Sequence, residues 1–563
     1  MSALSSLDAA RAAVDALLAG GVRCVVVCPG SRSAPLAYAL AEAEGRGHLE
    51  LVVRVDERVG AFTALGVALS SGRPAAVATT SGTAVGNLLP AVMEANHAEV
   101  PLVVLSADRP EELHGTGANQ TTEQFDLFGE HVRFATSVAA GASPSSSVRT
   151  ALSAATGALE GIPAGPVQLN LCFRDPLVPE PGWEPPAGGG WEPPPVQPYA
   201  YRRPPVAALG GLPPRRTVVL AGHGAGPLAE AFAAAHGLPL LAEPSSNARF
   251  GGHAVGPYRL LLDGHPGLRI ERVVLFGRPT LSRPVTALLA RDGVQTALYH
   301  PRPVAWFREG RRRERLVDDL DILSGFAGRG AEGWLDSWLL AGAAAQEAVD
   351  RIVGGPGAPL TGPRLAQLVW ESARGQLLLG SSNGIRDVDL AAAPPPQPAA
   401  RVFANRGLSG IDGTVSTATG LWLGRRTETT AFLGDLTFLH DAGGLLLGDG
   451  EADPDLRAVV LNDAGGAIFG LLEHGRVGDP ALPGAAAAVE RLFGTPHRAD
   501  LRALAAAYGV RHTLVRTTAE ASAALGAPRR RGREIIEARV DRASLRDLHE
   551  RIRLAVGRAV SHN

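Results

Sequence analysis

The residues best placed to do chemistry lie in two stretches near the C-terminal end, 431–441 and 459–469. Each starts as a short apolar run and ends in acid or amide residues beside glycine: Gly434-Asp435-Leu436 in the first, Asn462-Asp463-Ala464-Gly465 in the second. The runs have the length of buried parallel strands. A doubly wound sheet binds ligands beyond the carboxyl ends of its strands, which places Asp435 and Asp463 side by side at one edge. Magnesium takes oxygen ligands and shares its site with phosphates, so two strand-end acids and the Gly465 carbonyl suit a magnesium diphosphate. A helix after Asp435 would turn its first amides toward the same anion. Asp and Gly are also common in ordinary strand–helix turns for local backbone reasons.

Other candidates precede these. Residues 29–33 (Pro-Gly-Ser-Arg-Ser) form a small-residue loop after a strand, either a plain turn or a cradle offering amides and Arg32 to an anion. Asp56-Glu57-Arg58 ends another strand, and the apolar Val59, Ala61 and Phe62 follow at once. Glu57 is therefore expected to enter a buried region, where a carboxyl titrates nearer neutrality and can exchange protons. Residues 115–120, with Asn119 and Gln120, are polar and glycine-rich, and 405–413 interleave Arg406, Ile411 and glycines more densely than a solvent loop needs. Gly222, Gly224 and Gly226 half-match a dinucleotide fingerprint with Glu243 at the ribose distance, but Pro227 stands where the third glycine belongs.

Composition narrows the chemistry. The 563 residues are 45% hydrophobic and 20% charged, enough for several buried cores, with a net charge of −2 and no long charge run. Nucleic acid is not an expected partner, and no stretch is apolar enough to span a membrane. With no basic, apolar leader at its start, the chain reads as cytoplasmic. Cys24, Cys28 and Cys172 show no paired spacing and read as buried thiols. All 54 basic residues are Arg. Lysine imines, biotinyl or lipoyl carriers and Walker-type kinase chemistry are thereby excluded, and Arg is left as the fixed cation for anionic substrates.

The elements that must position these residues alternate strand and helix. Apolar strands around 24–28, 51–55, 75–79, 101–107 and 166–172 make a first α/β unit, taken as 1–185. A proline- and glycine-crowded stretch, roughly 176–216, reads as a surface linker that Trp183 and Trp191 could pin. A central Rossmann-like unit follows within 186–355, closed by an amphipathic helix from Trp334 to Ile352, and a third unit occupies 356–563. The fold class is α/β, with three doubly wound parallel-sheet domains. The first and third share a strand–loop–helix rhythm.

The Gly-Asp followed some two dozen residues later by the 462–469 run resembles the diphosphate-binding signature of thiamine diphosphate enzymes, departing from it at Leu436 and in having Asp463 where many relatives have Asn. Taken in order with 29–33, 56–58, 80–83, 117–120, Ser382 with Arg386 and 405–413, the series is similar to the menaquinone-pathway synthases that make 2-succinyl-5-enolpyruvyl-6-hydroxy-3-cyclohexene-1-carboxylate. Residues 278–283 and 493–497 resemble actinobacterial members. The resemblance covers nearly the whole chain. It implies pyrimidine-binding, central and diphosphate-binding domains, in that order, and a homodimer or homotetramer with active sites shared between subunits. It also implies thiamine diphosphate with Mg2+ or Mn2+ as cofactors, and 2-oxoglutarate and isochorismate as substrates. In that scheme Glu57 shifts the aminopyrimidine to its imino form. Asp435, Asp463 and the Gly465 carbonyl hold the metal. Ser382, Ile411, Gly434, Leu436 and Ile468 complete the cofactor site. Ser31, Arg32, Arg109, Asn119, Gln120, Arg283, Ser382, Arg386, Arg406 and Phe469 face the substrates, two dianions. The ordinary reading of any one of these arginines is a surface fork or a structural ion pair. Three rivals stay open: another thiamine diphosphate-dependent 2-oxoacid decarboxylase or carboligase, a nicotinamide oxidoreductase using Gly222 and Glu243, and a non-catalytic relative.

Overall fold

The computed structural model describes residues 3–561, except 187–190, 194–200, 208–209, 263–267, 309, 356 and 478–482. Part of the proline-rich stretch thus lies outside the described residues. At its start Trp183 donates from Nε1 to Glu42 Oε1 at 2.9 Å and meets Tyr38 edge-on, pinning the chain as it leaves the first sheet.

The first sheet contains β1 (Cys24–Val27), β2 (Glu50–Val53), β3 (Ala75–Thr79), β4 (Leu102–Asp108), β5 (Ala135–Val138) and β6 (Val167–Cys172), in the order β2-β1-β3-β4-β6-β5 and parallel throughout. β3, β4 and β6 are buried along their whole length, as continuous apolar runs covered by helices on both faces require. β7 (Pro214–Arg215) pairs with β13 (Arg329–Gly330) beside the central sheet. That sheet holds β8 (Thr217–Ala221), β9 (Leu240–Ala242), β10 (Arg272–Phe276), β11 (Gln295–Tyr299) and β12 (Arg315–Val317), ordered β12-β11-β10-β8-β9. The third sheet is β14 (Gly375–Leu379), β15 (Ala400–Phe403), β16 (Thr429–Gly434), β17 (Leu456–Asn462), β18 (Arg511–Val515) and β19 (Glu534–Arg539), again all parallel and ordered β15-β14-β16-β17-β19-β18.

The closing helix of the central unit runs Trp334–Val353, and its apolar face shares a core with a helix absent from the sequence reading, Leu545–Ser561. β5 and β18 were also not anticipated. Both are edge strands, and their partial burial blurs the apolar run that marks a central strand.

The first and third sheets are joined by helix Glu57–Ser71 crossing helix Thr414–Arg425. Glycines permit the close approach: a Cβ on Gly66 would lie 2.2 Å from the Thr417 carbonyl oxygen, and one on Gly420 would lie 2.1 Å from that of Thr63. Gly413, at φ +56°, lets the backbone turn into the second helix against the ring of Phe62.

The dinucleotide reading of the central unit meets a steric obstacle. A Cβ on Gly222 would sit 2.2 Å from the Pro279 nitrogen, so the segment 278–281 fills the space above that turn. Glu243 is buried and accepts from the Thr280 and Leu281 amides, each at 3.0 Å. The two hallmarks of that fingerprint are committed to packing their own chain.

Candidate active site

Parallel pairing of β16 with β17 sets Gly434 opposite Leu461, so Asp435 and Asp463 emerge together at the carboxyl edge of the third sheet. Asp435 opens the short helix Asp435–His440 and is 2% exposed. Its Oδ1 accepts from the Leu436 amide at 2.6 Å, and its Oδ2 accepts from the Gly465 amide at 3.0 Å. One amide of that helix, that of Leu436, therefore meets the Asp435 carboxylate itself. His497 Nε2 lies 3.1 Å from Asp435 Oδ2. His497 belongs to the 493–497 motif, but nothing in its sequence neighbourhood tied it to Asp435.

Asp463 Oδ1 is buried without a hydrogen-bond partner. Burial, then the neighbouring Asp435 carboxylate, push Asp463 up to about 7. The turn behind it is built by Asn462, whose Oδ1 accepts from the Ala464 amide while its Nδ2 donates to Glu537 Oε1. Ala464 takes φ +58°, and Gly465 is boxed in, since a Cβ there would meet Arg542 at 2.2 Å. An unpaired buried carboxylate oxygen beside a second acid is costly unless a cation joins them, so this donor set fits a hard divalent ion.

Around this edge, Ser382 precedes helix Asn383–Ala391, and Arg386 Nη1 donates to the Ser382 carbonyl at 2.7 Å. The next residue, Asp387, is buried with neither carboxylate oxygen hydrogen-bonded, Oδ1 lying 4.0 Å from His549 Nε2, and burial pushes it up to about 7. Sequence reading assigned it nothing. Ile411 is half-buried in the loop that leads into helix Thr414–Arg425. Ile468 and Phe469 are half-buried on helix Ile468–Leu471, and the Phe469 ring centroid lies 5.6 Å from that of Phe493.

Arg406 is fully buried. Its Nη2 donates to Thr280 Oγ1 and O, its Nη1 is left unpartnered, and burial lowers it to about 10. The loop that carries it is clamped from the first sheet: the buried Glu94 carboxylate accepts from the Gly407 amide at 2.6 Å and from Leu408 at 2.7 Å. Glu94 was not a candidate from sequence.

At the first sheet, Asp56 caps helix Glu57–Ser71 through the Arg58 and Val59 amides. Glu57 is half-exposed rather than sunk in a core, because it occupies the first helical turn at the sheet edge, and its Oε2 accepts from Asn87 Nδ2 at 3.1 Å. Arg58 donates to the His440 carbonyl at 2.8 Å, tying this helix start to the end of helix Asp435–His440. Arg109 Nη1 donates to Ser81 Oγ at 2.7 Å and to the Gln120 carbonyl at 2.8 Å. Gln120 in turn donates to the Ser81 carbonyl, while Asn119 and Ser31 are exposed. Arg32 donates to the Phe173 carbonyl at 2.9 Å and keeps a buried, unpartnered Nε. One chain thus gathers a first-sheet set (Ser31, Arg32, Arg109, Asn119, Gln120, Glu57) and a third-sheet set (Ser382, Arg386, Arg406, Ile411, Gly434, Asp435, Leu436, Asp463, Gly465, Ile468, Phe469). Arg283, on the central unit, is 72% exposed and paired at 2.8 Å with Glu473, itself 68% exposed.

Comparison with known proteins gives this geometry its context. Residues 7–127 match the family model for the N-terminal thiamine pyrophosphate-binding domain of thiamine pyrophosphate enzymes. A 2-succinyl-5-enolpyruvyl-6-hydroxy-3-cyclohexene-1-carboxylate synthase from Arthrobacter sp. (strain FB24) is 66% identical over 99% of this chain and 93% of its own. Its namesake from Paenarthrobacter aurescens (strain TC1) is 66% identical over 99% and 98%. A third, from Kineococcus radiotolerans, is 47% identical over 97% and 98%. The crystal structure of benzoylformate decarboxylase from Polynucleobacter necessarius superposes with a TM-score of 0.64 over 96% of this chain and 99% of that one, at 16% identity, a likeness of fold. Among the described residues no helix is long and apolar enough to cross a membrane. With relatives this similar end to end, the chain belongs to the 2-succinyl-5-enolpyruvyl-6-hydroxy-3-cyclohexene-1-carboxylate synthase family of thiamine diphosphate enzymes.

Proposed function

We propose that the chain decarboxylates 2-oxoglutarate and adds the succinyl fragment to isochorismate, giving 2-succinyl-5-enolpyruvyl-6-hydroxy-3-cyclohexene-1-carboxylate. The observation that carries this reading is the buried Asp435 beside Asp463, whose Oδ1 has no partner, in a chain of this family. Thiamine diphosphate supplies the nucleophilic carbon and the electron sink for decarboxylation. Asp435, Asp463 and the Gly465 carbonyl would hold Mg2+ or Mn2+ against its phosphates, with His497 orienting Asp435 from behind. Leu436, Gly434, Ser382 and Ile468 would line that end, and Ile411 would pack against the cofactor. Glu57, steadied by Asn87, would hold and move the proton needed at the cofactor's pyrimidine nitrogen.

Arg32, Arg109, Arg386 and Arg406 meet the substrate carboxylates, each already fixed by backbone or hydroxyl partners, so little side-chain entropy is lost on binding. Ser31, Asn119 and Gln120 add hydrogen bonds, and Phe469 forms an apolar wall. Residues 1–185, 186–355 and 356–563 correspond on this reading to pyrimidine-binding, central and diphosphate-binding domains. The working unit is a dimer or tetramer in which Glu57 serves a partner's diphosphate site. Exposed Val53 and Val55, the latter 67% exposed and two residues from Glu57, support a face covered by a second copy.

The test is a turnover assay with thiamine diphosphate and Mg2+. The expected result is 2-oxoglutarate decarboxylation coupled to isochorismate loss, with pyruvate inert. Pyruvate turnover with isochorismate untouched would transfer the chain to another carboligase class.

A further inference from the structure

A second cluster of metal-ligating groups lies at the first sheet, outside the site described above. β4 ends at Asp108 and β6 ends at Cys172, and parallel pairing makes these two residues register partners at the carboxyl edge. Residues 109–113 then turn back through the short 3-10 helix Glu111–Leu113 and deliver His114 over the same edge. The result is a carboxylate oxygen, an imidazole nitrogen and a thiol sulfur all within 4.8 Å of one another. His114 Nε2 stands 3.4 Å from Asp108 Oδ2, and the Glu111 carboxylate lies beside the Cys172 thiol.

We propose that Asp108, His114 and Cys172 form a binding site for a thiophilic divalent cation of the Zn2+ or Co2+ kind, distinct from the Asp435–Asp463 site, with Glu111 at its rim. A thiolate and an imidazole select such ions over Mg2+, and three protein donors of these types leave the fourth tetrahedral position to water.

The surroundings are those of a supported site. Asn170 Nδ2 donates to Asp108 Oδ2 at 2.9 Å and to Ser137 Oγ at 3.1 Å, and Asn170 Oδ1 accepts from Gln124 and Ser106. This buried polar ladder orients the carboxylate from behind, as outer-shell groups do around metals. The Arg109 amide holds Asp108 Oδ1 at 2.8 Å, and the Arg109 carbonyl lies 2.9 Å from His114 Nε2, which fixes the turn. Burial pushes the Cys172 thiol up to about 12, so the metal-free thiol is protonated. Binding therefore exchanges that proton: one S–H bond breaks, one metal–sulfur bond forms, and a proton passes to solvent with no change of oxidation state. The site sits at the root of the segment that carries Arg109, Asn119 and Gln120, so an ion there would stiffen that segment.

The decisive experiment is a Co2+ titration of the full chain preloaded with thiamine diphosphate and Mg2+, followed by near-ultraviolet absorption. The expected result is one equivalent bound with a thiolate-to-cobalt charge-transfer band that Cys172→Ser removes. His114→Ala, a change at a half-exposed position that spares the core, keeps the test alive if Cys172→Ser misfolds, and should weaken Co2+ binding more than about tenfold. Absence of a thiolate band in the parent protein, or its persistence in both variants, overturns the site. Neither readout depends on catalytic turnover.

Discussion

The first and third sheets share one strand order. Written from its own first strand, each runs 2-1-3-4-6-5, yet the carboxyl edges carry different chemistry. After the third strand, the first sheet offers Thr80 and Ser81, where the third sheet offers Asp435. At the fourth strand the acids match: Asp108 ends β4 and Asp463 follows β17. Asp108 is hydrogen-bonded on both oxygens, by the Arg109 amide and Asn170, while Asp463 keeps one buried oxygen unpaired. The scaffold fixes where strand-end side chains gather, and the residues placed there decide what they hold. On the proposed reading, the two acids of the third sheet would hold a hard cation against phosphates, and the arginines, amides and Glu57 of the first sheet would meet carboxylates and a ring nitrogen.

Glu57→Gln tests this division most severely. The side chain is half-exposed and helix capping comes from Asp56, so folding should be unaffected. Loss of the carboxylate that moves the proton should lower kcat by roughly 10²–10⁴-fold, measured as carbon dioxide release from 2-oxoglutarate at unchanged Tm. A parent-like rate would leave the first sheet without proton chemistry.

Arg386→Ala addresses the third sheet's own contribution to substrate binding. Loss of a charge-assisted hydrogen bond of about 1.5–3 kcal/mol should raise KM for one substrate by roughly 10- to 100-fold, with kcat nearly kept. Arg32 occupies the equivalent place after the first strand of its sheet. If Arg32→Ala raises KM for the other substrate, the two edges divide the dianions between them; if both variants affect the same one, they grip it jointly.

Asp463 also makes the stability of the metal-free protein depend on pH. Asp463, in the folded, metal-free protein, is raised to about 7 from an ordinary value of about 3.9. Across that window the folded state binds more protons than the unfolded chain, so stability falls as pH rises from about 4 to 7. Asp387, also raised to about 7, acts in the same direction. Mg2+ with thiamine diphosphate should offset the Asp463 part, and Asp463→Asn should flatten the metal-free slope, leaving the share of Asp387 and of the other raised buried acids, Glu243 and Asp441. Thermal melts at pH 5 and pH 7.5 should show this as roughly a few degrees of Tm. A metal-free Tm whose change over this range is the same in Asp463→Asn as in the parent would contradict an unpaired Asp463.

What sequence revealed and what it hid divide along the same lines. Strand ends were readable because apolar runs stop abruptly at Asp435, Asp463 and Asp56, and periodicity is a local property. The same edge strand escaped in both sheets, β5 and β18, because neither is buried on both faces. His497, Asn87 and Glu94 were missed for another reason. Each acts on a residue brought near by chain packing, Glu94 from 313 positions before Gly407, and no spacing rule spans such a gap. The broken fingerprint at Gly222 shows the converse: a local pattern survived, and a distant segment, 278–281, filled its space.

The smallest effect belongs to Arg283, the one proposed substrate residue carried by the central unit. Its partner Glu473 is as exposed as Arg283 itself, and such a pair contributes about 0–1 kcal/mol. If Arg283 serves a substrate, it must exchange Glu473 for a carboxylate of similar worth, so Arg283→Ala should raise KM no more than about fivefold. Glu473→Gln separates the two roles, because it frees the guanidinium without removing it. A fall in KM in that variant would bring Arg283 into the site that the two sheet edges form. An unchanged KM in both variants would leave it a surface ion pair and confine substrate binding to the edges.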